Sequence, residues 1–132
     1  MNSKTEYVLD SSALLAVIVD ESGQEHVTPL LESSIITAVN ACEVASKLIS
    51  RNVAPADAID AVIELDVEIV PFDGRLAFEA ASILPVTRAL GLSLGDRACL
   101  ACARLTGATV LTADRAWKNL GSLLGVPMQM IR

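Results

Sequence analysis

Five short segments with the composition of β-strands punctuate this chain: YVLD at 7–10, SIIT at 34–37, VEIVPF at 67–72, TVLT at 109–112 and VPMQMI at 126–131. Between them lie longer stretches whose apolar residues recur at helical spacing. Strands and helices that alternate in this way pair as a parallel sheet with right-handed crossovers and helices on both faces. The fold class expected is therefore α/β, a three-layer α/β/α sandwich around a central, mostly parallel sheet. No repeat, linker or low-complexity tract interrupts the pattern, and residues 1–132 read as one domain.

Local signals mark the helices. Ser11 or Ser12 can cap ALLAVIV after the first strand, and Thr37 caps AVNACEVASKLISRN. QEHVTPLLES reads as a helix only if Pro29 falls in its first turn, whereas PADAIDAVIEL places its proline there directly. Asp73 caps RLAFEAASILPVTRAL, which Pro85 should kink or divide and Gly91 should stop. SLGDRACLACARLTG is a helix closed by Gly107, and Asp114 opens the short helix DRAWKNL. VPMQMI suits an edge strand, with Pro127 where no ladder donor is needed.

About half the chain is apolar, mostly Ala, Leu, Val and Ile, with one Trp, one Tyr and two Phe. No apolar run approaches the roughly 20 residues needed to cross a bilayer, and the polar start MNSKTE lacks the regions of a signal peptide. The three cysteines, odd in number and set in helical patterns, do not form a disulfide framework. These features place the chain in the cytoplasm. The formal charge of −6 argues against a polyanionic partner. That argument weakens if several acids gather around cations, with Arg97 and Arg115, each next to such an acid, holding a nucleic-acid backbone.

Four acids bear on this point: Asp10, Glu43, Asp96 and Asp114. Three of them lie at or beside strand-to-helix junctions, where side chains project into a crevice at the carboxyl edge of a parallel sheet. Taken singly, Asp10 and Asp114 are ordinary helix caps, and Ser93 with Asp96 resembles a capping box. Glu43 sits among Ala41, Cys42, Val44 and Ala45, with Lys47 one turn on as the nearest base. It either faces solvent or needs a cation, since an unpaired buried carboxylate is costly. Asn40, three residues before it, shares its helix face. Ser12 and Thr112 add hydroxyls that can orient a ligand or simply complete a turn. Together the acids suggest a site for a hard cation such as Mg²⁺.

DSSALLA after the first strand, the NACEVASKL and LSLGDRACLACA helices and the TVLTADRAW segment resemble the PIN domain, in particular the VapC-type toxins of bacterial toxin–antitoxin pairs. The resemblance runs from Tyr7 to about Trp117. It implies that Asp10, Glu43, Asp96 and Asp114 are the four family acids, with Thr112 as the small hydroxyl before the last. The implied activity is RNA cleavage dependent on Mg²⁺ or Mn²⁺. The implied partners are a cognate antitoxin that covers the acidic cleft and a second toxin copy, as a homodimer.

Other readings fit less well. A phospho-acceptor receiver domain needs an acidic pair after its first strand, where this chain has Asp10 alone, and a haloacid-type phosphatase needs D-x-D where Asp10-Ser11-Ser12 stands. A catalytically silent binding module of the same fold remains open. Cys99 and Cys102 read as small core residues, and His26 as a surface residue without zinc-spaced neighbours. Trp117, with Arg115 and Lys118, is either core or a stacking surface for an unpaired base. Arg75, Arg88 and Arg104 solvate helix faces.

Overall fold

The computed structural model describes residues 5–132; most of the polar start MNSKTE, its first four residues, lies outside the described residues. Strands β1 (Tyr7–Leu9), β2 (Ser34–Thr37), β3 (Glu68–Val70), β4 (Thr109–Thr112) and β5 (Met128–Met130) form one sheet in the order β3-β2-β1-β4-β5. Every pairing is parallel. From β1 in the centre the chain builds outward through β2 to β3, then crosses back and builds through β4 to β5. The reversal leaves a crevice beyond the carboxyl ends of β1 and β4, the place where open parallel sheets bind ligands.

Side chains alternate across the sheet, as the two-residue period of a strand requires. Val8, Ile35 and Val110 enter one core with α5 (Gly74–Ser82) and α7 (Leu94–Thr106). Leu9, Ile36 and Leu111 enter the other with α1 (Ser11–Ile18), α3 (Ala38–Ser50) and α4 (Pro55–Ile63). The result is the expected α/β/α sandwich. No helix of the described residues is long and apolar enough to cross a membrane.

Several elements depart from the sequence reading. Of the residues expected to cap α1, Asp10 does so and Ser11 and Ser12 do not: its carboxylate accepts from the Ser11 N–H. QEHVTPLLES splits into α2 (Gln24–Val27) and a 3₁₀ turn over Thr28–Ser33, because Pro29 cannot supply an interior helical donor. As expected, Pro85 divides the 75–90 stretch into α5, the single turn of α6 (Leu84–Thr87) and a 3₁₀ turn that Gly91 ends at a φ of 64°. DRAWKNL is not one helix. A 3₁₀ turn, Arg115–Trp117, is followed by α8 (Leu120–Leu124), a helix the sequence reading missed. Trp117 is fully buried in the first core and anchors that turn to the sheet.

Candidate metal centre at the carboxyl edge of the sheet

Asp10 leaves β1 at the switch point and is only 5% exposed. Its Oδ1 accepts from the Ser11 N–H at 2.8 Å. Its Oδ2 accepts from Ser12 Oγ at 2.7 Å and from Thr112 Oγ1 at 2.8 Å. Burial pushes the carboxyl pKa up; the hydrogen bonds from Ser12 and Thr112 oppose the rise, and the negative charge of Asp96 adds to it. The two hydroxyls are also joints. Ser12 Oγ accepts from the Ala113 N–H at 2.9 Å and Thr112 Oγ1 accepts from the Asp114 N–H at 3.0 Å, which ties the turn after β4 to the turn after β1.

Glu43 rises from the first half of α3, half-buried. Its Oε1 accepts from Ser11 Oγ at 2.6 Å and from Asn40 Nδ2 at 3.1 Å. The carboxylate lies against Gly95 in the space a Cβ would occupy. The next residue is Asp96, half-buried in the first turn of α7. Its Oδ2 accepts from the Ser93 N–H at 2.9 Å while Ser93 Oγ accepts from the Asp96 N–H at 3.1 Å, so the capping box is present. One turn further, the buried Cys99 thiol has its pKa raised by burial first and then by the charges of Asp10, Cys102, Asp96 and Glu43. The charge of Asp96 thus reaches Asp10, and the charges of Asp10, Asp96 and Glu43 reach the thiol beneath them.

Asp114 stands at the exposed rim, where its Oδ1 accepts from the Ala116 N–H at 3.0 Å and caps the 3₁₀ turn. Among the described residues it joins the network only through its main-chain N–H, which donates to Thr112 Oγ1. Among the described residues, no Lys, Arg or His pairs with any of these four acids; the ion pairs present engage Glu21, Glu25 and Glu79. Nor do Arg97 and Arg115 bear on the crevice as expected: their guanidinium groups donate to main-chain oxygens, Arg97 to Ala80 at 3.2 Å and Arg115 to Arg132 at 2.8 Å. A stacking role for Trp117 is likewise overturned, because a fully buried indole presents no face to a base.

Among the described residues, no three His, Cys, Asp or Glu side chains close around a common point as a protein cage would. Asp10, Glu43 and Asp96 come instead from the end of β1, from α3 and from the first turn of α7, which pack against one another at this edge of the sheet. Open sites of one or two carboxylates suit Mg²⁺-like ions, which keep several waters and share substrate phosphates, better than ions that require a closed shell. Uncompensated negative charge around a buried carboxylate fits the same class of ligand.

Sequence reading overlooked two members of this network. Ser11 binds Glu43, and Gly95 makes room for it. A signal for each exists: DSS offers a second hydroxyl on the following helical position, and a glycine inside the first turn of a helix marks close approach of a neighbour.

A five-stranded, all-parallel sheet in the order β3-β2-β1-β4-β5, with carboxylates gathered at its switch point, defines an open α/β domain whose ligand site lies at the carboxyl ends of the strands. The family model of the PIN domain matches residues 7–123, and the chain belongs to that family. Its fold is that of several solved toxin–antitoxin structures. It is similar to the DNA-bound VapBC of Salmonella typhimurium, with a TM-score of 0.76 at 16% identity over 97% of this chain and 99% of that one. It is also similar to VapBC-5 from Mycobacterium tuberculosis, a member of the VapBC family of toxin–antitoxin systems, with a TM-score of 0.61 at 20% identity over 97% and 98%. VapBC-1 of nontypeable Haemophilus influenzae gives a TM-score of 0.69 at 13% identity over 96% and 98%. At such identities the likeness is one of fold. No curated protein is similar in sequence at a significant level.

Proposed function

We propose that this single-domain chain is a divalent-metal-dependent ribonuclease and the toxin of a toxin–antitoxin pair. The observation that carries the reading is Asp10: a carboxylate 5% exposed, within reach of the charge of Asp96, with no cationic side chain paired to it among the described residues. Such a charge is costly in a protein interior, and the three hydrogen bonds that Asp10 accepts offset the cost only in part, since its pKa is still raised; a bound cation would offset the rest. Asp10 and Asp96 are assigned as direct holders of Mg²⁺ or Mn²⁺, with Glu43 and Asp114 acting directly or through water. When bound, a divalent ion lowers the pKa of a coordinated water and neutralises phosphate oxygens. Ser12 and Thr112 fix Asp10 through Oδ2, and Asn40 and Ser11 fix Glu43 through Oε1. These carboxylates would hold the ion whose bound water takes the place of a histidine base; His26, the one histidine, is exposed on α2.

The test is cleavage of RNA with Mg²⁺ or Mn²⁺, with and without chelator. Asp10→Asn or Asp96→Asn should lower the rate by at least about 10²-fold, or roughly 2.7 kcal/mol of barrier. A wild type that binds RNA but turns over none of it would establish a silent binding module instead.

The antitoxin's seat is proposed on the opposite flank of α3. Ala41 and Ala45 of α3, Ile59 and Ile63 of α4 and Ile69 of β3 line an apolar groove, and the three isoleucines are exposed. The chain between Arg51 and Arg75 holds Asp57, Asp60, Glu64, Asp66, Glu68 and Asp73 and no base. An apolar floor within so acidic a stretch suits an amphipathic antitoxin helix with Lys or Arg along its flanks. An antitoxin base that also reached the carboxylate crevice would inhibit by replacing metal charge. The toxin is proposed to act as a homodimer in the cytoplasm.

A further inference from the structure

The metal-site reading leaves open why Asn40, a fully buried amide, stands beneath the acids. Its Nδ2 lies 3.0 Å from Gly95 O, 3.1 Å from Glu43 Oε1 and 3.2 Å from Ser11 Oγ. An amide nitrogen has two protons, so one goes to Gly95 O and the other is shared between Glu43 and Ser11. Which way the amide faces is also determined. Thr37 Oγ1 accepts from the Asn40 N–H at 3.1 Å and therefore turns its single proton to Asn40 Oδ1, leaving Nδ2 toward Glu43.

One side chain thus joins three elements: α3, which carries it; α1, through Ser11; and α7, through Gly95. Glu43 Oε1 receives both donors, from Ser11 and Asn40, whereas Oε2 receives none among the described residues. The absence of a Cβ at Gly95 is what lets the carboxylate settle there; an alanine would collide with it. A free glutamate carries up to about 2 kcal/mol of rotamer entropy that must be lost on capturing an ion. The clamp removes that freedom beforehand, as supporting shells of metal ligands do.

Resting on the nuclease reading, we infer that the Asn40 carboxamide, oriented by Thr37 and seated against Gly95, is a positioning residue that locks Glu43 Oε1 and presents Oε2 to the cation.

The test is Mn²⁺ binding to the purified, RNA-free protein by calorimetry, with ¹³C NMR of the Glu43 carboxylate in the metal-free state. Asn40→Ala and Gly95→Ala should each weaken Mn²⁺ by about 10- to 100-fold and move the Glu43 signal while leaving that of Asp114 in place. Should Asn40→Ala fail to fold, Thr37→Val removes the orienting proton and gives the same readout, and Thr37→Ser restores wild-type binding. Folded variants that bind Mn²⁺ as wild type does overturn the clamp and leave the metal site standing. A wild type that takes up no Mn²⁺ at millimolar concentration overturns the metal reading, and the inference with it.

Discussion

At Asp10, one carboxylate caps a helix, joins two strand ends and carries the charge on which the function turns. Its pKa is raised, chiefly by burial, so the folded chain holds this proton more tightly than the unfolded chain does. The sign follows: the group favours folding below its unfolded pKa, and that contribution is lost as pH rises through the folded pKa. Above its unfolded pKa and without metal, Asp10 therefore disfavours folding relative to an uncharged side chain of the same shape. Asp10→Asn should therefore melt at a higher temperature than wild type at pH 7, even as it abolishes cleavage. The gap should close on acidification, once the wild-type carboxyl is protonated in both states. Thermal unfolding against pH in chelator checks this, and an unchanged gap at acid pH would contradict it. The hydroxyls of Ser12 and Thr112 can rotate to accommodate the amide, and Asn is itself a good cap.

Within elements, most of the architecture follows from residues only a few positions apart. Thr37, Asp73 and Ser93 each receive a main-chain N–H three residues ahead, and Gly91, Gly107 and Gly125 stop their helices in the left-handed region. The capping box at the start of α7 serves two ends, because Asp96 is both its second member and a proposed ligand. Ser93→Ala should cost about 1 kcal/mol of stability, read as a lower urea midpoint. Mn²⁺ affinity should hold to within about threefold, or roughly 0.6 kcal/mol, because Asp96 Oδ1 takes no part in the box. A large loss of affinity would mean that the box also orients the ligand. Where local signals misled, a longer-range force had won. The 114–120 stretch gave up regular helix so that Trp117 could enter the core, and burial of an indole outweighs a turn of helical hydrogen bonds.

Over the whole molecule, the strand order decides what the acids can do together. Because β1 and β4 are neighbours, Thr112 reaches Asp10 across 102 residues, and because α3 packs beside α1 and α7, Glu43 meets Ser11 and Gly95. The proposed antitoxin groove lies on this same α3. Ile63→Asp, at a position already 60% exposed, should leave RNA cleavage intact and weaken antitoxin binding by at least about tenfold, or roughly 1.4 kcal/mol. Titration calorimetry with the antitoxin segment would show it, and unchanged affinity would move the interface elsewhere.

By itself the sequence determined the alternation of elements, the caps and the residues that end strands at the carboxyl edge, since each depends on side chains within a few positions of one another. It also put Asn40 and Glu43 on one helix face. Only the tertiary structure decided that Glu43 turns inward onto Gly95, that Ser11 rather than a base donates to it, and that Arg97 and Arg115 spend hydrogen bonds on the main-chain oxygens of Ala80 and Arg132. The physical reason is range: hydrogen bonds and close packing between residues far apart in the chain arise from how the helices pack on the sheet, and local propensity carries no record of that packing.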